Sequence, residues 1–262
     1  MSMADVLTQE RRGGVALLTL NRPEQMNALS GELVAALGEA LASCRADADV
    51  RVVVITGGGR AFCAGADLVE AATMTQDSTA FRELLMSWKA VFSAMDASPK
   101  PVIAAVNGLA LAGGLELALS ADFMVASSSA RLGDVHANFG LVPGGGGSQR
   151  LTDAVGSRAA RWLMFTGETL DAEQARSLGL VHEVFAAETF LDDVWAMATK
   201  IASRSATGLA FMKRMSSPRG VTDDGLDLEI NAAAHLGVGP DAREGVAAFG
   251  EKRSPRFTSV VR

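Results

Sequence analysis

Val102-Ile-Ala-Ala-Val106-Asn107-Gly108-Leu-Ala-Leu-Ala-Gly113-Gly114-Leu-Glu116-Leu-Ala118 holds the decisive change of period in this chain. Its first five residues are an apolar run of strand length, and Asn-Gly is a turn pair that closes it. The Gly-Gly pair opens an apolar helix predicted from Gly114 to Ser120. A strand that leads through a short loop into a helix is the unit of α/β proteins with parallel strands.

The same unit recurs on both sides. Val15 to Leu20 is a short apolar strand that runs into Asn21-Arg-Pro. A helix is expected from Ser30 to Arg45, with Leu33, Leu37 and Leu41 on one stripe and Ser30 as N-cap. Arg51 to Thr56 is a β-branched run, apolar enough for burial on both faces. A more polar helix is expected over Ala80 to Ala97, broken by Pro99-Lys-Pro101, and Asp122 to Ala126 reads as a further strand. Beyond about Ala154 helical patterns dominate: Ser157–Thr166, Asp171–Ser177 with a capping-box pair Asp171/Gln174, Ala187–Ser205 and Thr222–Leu236. Leu178 to Val184 reads as an edge strand or connector.

Composition narrows the function. The chain has 262 residues, 48% hydrophobic and 21% charged, with net charge −6 and a sequence pI near 5.2. Such an acidic chain lacks the basic surface that general nucleic-acid binding requires. Cys44 and Cys63 make neither a disulfide framework nor a zinc site, which fits reduced thiols and a cytoplasmic location. No secretory signal or membrane span is expected: Pro101 to Leu119, the longest apolar run, is interrupted by Asn107, three glycines and Glu116.

Three glycine-rich segments carry the candidate chemistry. Gly57-Gly-Gly-Arg-Ala-Phe-Cys-Ala-Gly-Ala-Asp-Leu68 follows a strand directly, and glycine there permits close approach of a ligand. It has no Gly-Lys-Ser/Thr and is not a Walker-type loop. The loop before Gly113 exposes the free N–H groups of a helix start, where an oxygen gaining negative charge would be stabilised. Glu116 lies in that first turn among apolar neighbours, where its pKa would rise. In Arg131 to Arg150, His136 is the side chain suited to proton exchange near neutral pH, and a purely structural role for it stays open. His182 and His235 read as structural, Cys63 as an inert apolar filler. Asp/Glu/His spacing offers no metal site.

Seven segments in this order resemble the enoyl-CoA hydratase/isomerase (crotonase) family: Asn21 to Leu29, Ile55-Thr-Gly, Ala61 to Leu68, Pro99 to Gly108, Gly113 to Glu116, Pro143 to Leu151 and Arg243 to Arg253. The resemblance implies an α/β fold, the crotonase-like ββα spiral, with a core over residues 1–195 and a C-terminal helical trimerisation region over 196–262. It implies an acyl-CoA thioester as substrate, with coenzyme A as part of that substrate and no tightly bound cofactor. It further implies self-assembly as a homotrimer or dimer of trimers. An oxyanion hole would fall on the N–H groups of Ala66 and Gly113. The CoA moiety would run past Gln25, Met26, Ala64, Asp67 and Leu68, with Phe249 and Lys252 reaching a CoA site of the same or a neighbouring subunit.

In the family's hydratases two glutamates share the water that adds to the double bond. Glu116 matches one of them. The position of the second holds His136. Three activities follow as expectations: hydration with His136 as proton donor, double-bond isomerisation with a single base, or acyl-CoA binding without turnover.

Overall fold

The computed structural model describes residues 6–67, 70, 78–216, 231 and 239–260. Its strands are β1 (Leu7–Arg12), β2 (Val15–Leu20), β3 (Val52–Gly57), β4 (Ala61–Cys63), β5 (Val102–Val106), β6 (Leu109–Leu111), β7 (Phe123–Ser127), β8 (Arg131–Gly133), β9 (Leu170–Asp171) and β10 (Glu183–Phe185). The helices are α1 (Gly31–Ala46), α2 (Ser78–Asp96), α3 (Gly113–Leu119), α4 (Gly147–Thr166), α5 (Ala172–Ser177), α6 (Phe190–Ala202), α7 (Ala206–Met215) and α8 (Pro240–Gly250).

Two sheets form. The larger has the order β1-β2-β3-β5-β7-β10, parallel except for the β1–β2 hairpin. The smaller has the order β4-β6-β8-β9, antiparallel only at β8–β9. Each turn of the chain lays one strand in the first sheet, a short strand in the second, and then a helix. The series β3-β4-α2, β5-β6-α3 and β7-β8-α4 is thus a ββα spiral, and the chain is an α/β protein of that architecture.

The expected double burial of the central strands is observed, with the alternation a pleated strand requires. Val53 and Ile55 face one core with α1 and α2, while Val52 and Val54 face a second with Phe190, Val194, Trp195 and Ala198 of α6. Ser30 caps α1 through Leu33 N–H, and Asp171 and Gln174 form the full capping box of α5.

Several boundaries differ from expectation. Helix α4 is two helical stretches that meet at a kink at Gly156, at φ 77° and ψ 158°: the second is the expected Ser157–Thr166, and the first, from Gly147, was not expected. Helix α6 starts only at Phe190. The expected helix Thr222–Leu236 lies outside the described residues, Asn231 excepted.

Helix α7 is bound to the sheet by Lys213, which pairs with Asp122 at 3.0 Å and donates to Met95 O at 2.8 Å. The segment after α8 is bound through Ser259, whose carbonyl accepts from Arg51 and whose hydroxyl accepts from Thr207 N–H. Among the described residues no helix is long and apolar enough to cross a membrane.

Candidate active site

The chain leaves β3, β5 and β7 at the same end of the larger sheet, so the three glycine-rich segments meet there. Close packing enforces the meeting. A Cβ added to Gly114 would lie 2.0 Å from Cys63 O, so only glycine lets α3 start against β4. One added to Gly65, which has φ 108°, would lie 3.1 Å from Leu111 O and 3.5 Å from Gly113 N. The loop of Ala66 and the start of α3 are therefore immediate neighbours.

Leu29 N–H donates to Gly65 O at 2.8 Å and Asp67 N–H donates to Leu29 O at 3.1 Å, a parallel bridge centred on Ala66. Successive amides of extended chain point to opposite edges, so the Ala66 N–H points away from Leu29. Gly113 is the first residue of α3, where N–H groups have no intrahelical acceptor. Ala112 before it holds φ 48°, a conformation L residues rarely adopt, and so turns the chain sharply into the helix.

Glu116 projects from the first turn of α3 and is 1% exposed. Its Oε1 accepts Gly145 N–H at 2.8 Å and Gly147 N–H at 2.7 Å. The glycine run is needed for this grip: a Cβ on Gly145 would fall 2.9 Å from Oε2, and one on Gly147 3.0 Å from Oε1. Oε2 is buried and has no hydrogen-bond partner among the described residues. Burial raises the Glu116 pKa, against the lowering effect of the Gly147 N–H, the His136 charge and the Gly145 N–H.

His136 opens the 3₁₀ turn His136–Phe139 and is buried. Its Nε2 stands 3.9 Å from Glu116 Oε2, and its Nδ1 2.8 Å from Asp134 Oδ1. Burial works to lower its pKa, but the hydrogen bond and charge of Asp134, with the charge of Glu116, outweigh burial and leave it raised.

Helix α2 covers this group. The Trp88 ring lies where a Cβ on Gly113 would come within 2.8 Å, and Phe92 packs on Gly145. Trp88 Nε1 is buried without a partner among the described residues. Near the glycine run, Leu85 of α2 abuts Gly144. Trp88, Phe92 and Asp134 had no role in the sequence reading. Asp134 lies two residues before His136, a spacing that by itself brings no two side chains together.

The candidate CoA residues divide. Met26, in a left-handed conformation at φ 50°, accepts Ala64 N–H at 3.0 Å, and exposed Gln25 precedes it. Asp67 pairs with Arg22 at 2.8 Å. These four sit together beside Ala66. Leu68 and the Phe249 side chain lie outside the described residues. Lys252 is exposed and follows the end of α8 in a left-handed conformation at φ 54°.

Buried Cys63 has its thiol pushed up to about 12 by burial, which suits filler rather than nucleophile.

Two mostly parallel sheets wound in ββα turns thus bring a buried helix-start carboxylate, a buried histidine and the Gly65–Ala66 loop to one end of the fold. Comparison with known proteins agrees. The enoyl-CoA hydratase/isomerase family model matches residues 10–260. A probable enoyl-CoA hydratase of Rhizobium meliloti (strain 1021) is 40% identical over 97% of this chain and 98% of its own. The crotonyl-CoA hydratase of Syntrophomonas wolfei is 36% identical over 95% of this chain and 96% of its own. The enoyl-CoA hydratase structure from Bacillus anthracis superposes with TM-score 0.92 at 36% identity, covering 96% of this chain and 98% of that one. The chain belongs to the enoyl-CoA hydratase/isomerase family and is an enzyme of that family.

Proposed function

We propose that this enzyme adds water across the 2,3 double bond of a 2-enoyl-CoA. The observation that carries the reading is the buried Glu116 Oε2, without a hydrogen-bond partner among the described residues, at 3.9 Å from His136 Nε2. One water oxygen can touch both atoms at hydrogen-bond distance.

The Ala66 and Gly113 N–H groups receive the thioester oxygen. Glu116 Oε2 takes a proton from the water as its oxygen bonds to C3. The double-bond electrons move toward the thioester, whose oxygen becomes an enolate held by the two amides. Collapse of the enolate takes a proton from His136 Nε2–H at C2. Glu116 is then protonated and His136 neutral, and passage of one proton from Oε2 to Nε2 resets the site. The glycine grip on Oε1 keeps Oε2 aimed throughout.

The neighbouring Gln25, Met26, Ala64 and Asp67 support a CoA path along the Ala66 loop, with Leu68 continuing it. Lys252, with Phe249 three residues before it, would complete a CoA site of the same or a neighbouring subunit. We infer residues 1–195 as the spiral core and 196–262 as an oligomerisation region of a homotrimer or dimer of trimers. Exposed Met212 on α7 and Val246 on α8 support that division.

Crotonyl-CoA incubated with the enzyme in oxygen-18 water tests the activity. The reading expects a 3-hydroxyacyl-CoA carrying the heavy oxygen, and recovery of unchanged crotonyl-CoA would overturn it.

A further inference from the structure

We propose that Asp134 is a positioning residue for the reaction: it locks the His136 ring so that Nε2 is the only ring atom that exchanges a proton, and aims it at the gap facing Glu116. This rests on the hydratase reading given above.

The geometry is specific. Asp134 is as buried as Glu116, at 1% exposed. Its Oδ1 faces His136 Nδ1 at 2.8 Å and also the His136 backbone N–H at 3.3 Å. One carboxylate oxygen thus fixes both the start of the turn and the ring that hangs from it. An ionised carboxylate only accepts, so Nδ1 must carry the hydrogen. The turn is closed behind the ring by Gly140 at φ 66° and by Leu141 N–H donating to His136 O at 3.1 Å. Nε2 is then left as lone pair or N–H, and the two states differ by the proton that the reaction moves.

The substitution of imidazole for a carboxylate makes this partner necessary. A buried imidazolium is disfavoured unless a negative group compensates it. The charged groups acting on the ring are Asp134, ahead of the turn, and Glu116 from α3; helix α4, packed on the same turn, adds none among the described residues. Glu116 gives up its charge during the cycle when it takes the water proton. Asp134 takes no part in that transfer, and its Oδ1 holds the ring through the same contact at every stage.

The test uses the full-length enzyme with nitrogen-15 histidine. In the wild type, NMR of neutral His136 is expected to show the Nδ1–H tautomer; the Nε2–H tautomer overturns the proposal without any variant. Asp134→Asn retains an oxygen acceptor and removes the charge. It is expected to lower kcat for crotonyl-CoA tenfold or more with KM within about twofold, and to move both the His136 NMR midpoint and the basic limb of kcat to lower pH. An unchanged midpoint overturns the proposal. Because NMR reads His136 without turnover, a failed hydratase assignment leaves this test intact. Hydration in the wild type with an unmoved midpoint in Asp134→Asn sinks the role of Asp134 alone.

Discussion

Glu116 Oε2 and His136 Nε2 stand 3.9 Å apart, beyond a direct hydrogen bond and within reach of one shared oxygen atom. The two side chains come from different turns of the spiral and meet because α3 and the β8–α4 connection leave the same end of the sheet. Each keeps its other polar atom occupied: Oε1 by two glycine amides, Nδ1 by Asp134. Only the facing atoms remain for chemistry.

The pH profile follows from this pairing. The productive form has Glu116 ionised and His136 protonated. Activity therefore falls on the acid side as Glu116 takes a proton, and on the basic side as His136 loses one. Since the Asp134 contacts leave His136 raised, the basic limb of kcat/KM lies above the ordinary histidine value of about 6.5. The limbs are properties of the pair rather than of either residue. A kcat/KM profile for crotonyl-CoA with its basic limb at or below that value contradicts the assignment.

Glu116 should cost the fold stability. A carboxyl whose pKa is raised by folding binds its proton more tightly in the native state. Its ionised form therefore destabilises the native state above the folded pKa, and the penalty fades as pH falls through that value. Glu116→Gln keeps an oxygen for the Gly145 and Gly147 amides. Its Tm should exceed the wild type's at about pH 8, with the difference shrinking at about pH 5. Calorimetry at the two pH values checks this, and a lower Tm at both is the contrary result.

Gly145 serves the carboxylate rather than the loop. A methyl group there would press on Phe92 at 2.8 Å and on Oε2 at 2.9 Å. Gly145→Ala should lower kcat about tenfold to a hundredfold by displacing Oε2, while far-UV circular dichroism stays that of the wild type. Steady-state kinetics at saturating crotonyl-CoA measures it.

Asn27 belongs to the scaffold of the site. Fully buried, it donates to Gly58 O at 2.9 Å and Ala61 O at 2.7 Å, and accepts Arg22 N–H at 2.8 Å. Asn27→Ala leaves those backbone groups short of partners in the interior. A loss of about 2–4 kcal/mol is expected in urea unfolding, with the m-value unchanged.

Much of the fold could be read from local chemistry. The strands β2, β3, β5 and β7 are continuous apolar runs because they are covered on both faces, and Ser30 and Asp171 announce the helices that they cap. The strands β4, β6 and β8 are three residues each, too short to show a period, and form only where the second sheet exists to receive them. Strand β1, Leu-Thr-Gln-Glu-Arg-Arg, is a solvated edge with one buried residue and has no apolar alternation to detect. In the site, the helix-start place of Glu116 followed from the Gly-Gly pair and its dry setting from its apolar neighbours. The Asp134–His136 contact did not, because the turn that points both side chains inward is set by Gly140 and by packing. Trp88 and Phe92 are ordinary apolar positions of a helix until α2 is laid across Gly113 and Gly145.

The central claim is that Glu116 and His136 divide the base and acid roles in hydration. Its most direct measurement is the single-turnover rate of crotonyl-CoA hydration by the wild type, Glu116→Gln and His136→Ala at about pH 7. The account predicts hydration by the wild type and a loss of roughly 10²–10⁴-fold in each variant, with all three folded. Hydration at the wild-type rate by either variant would contradict it.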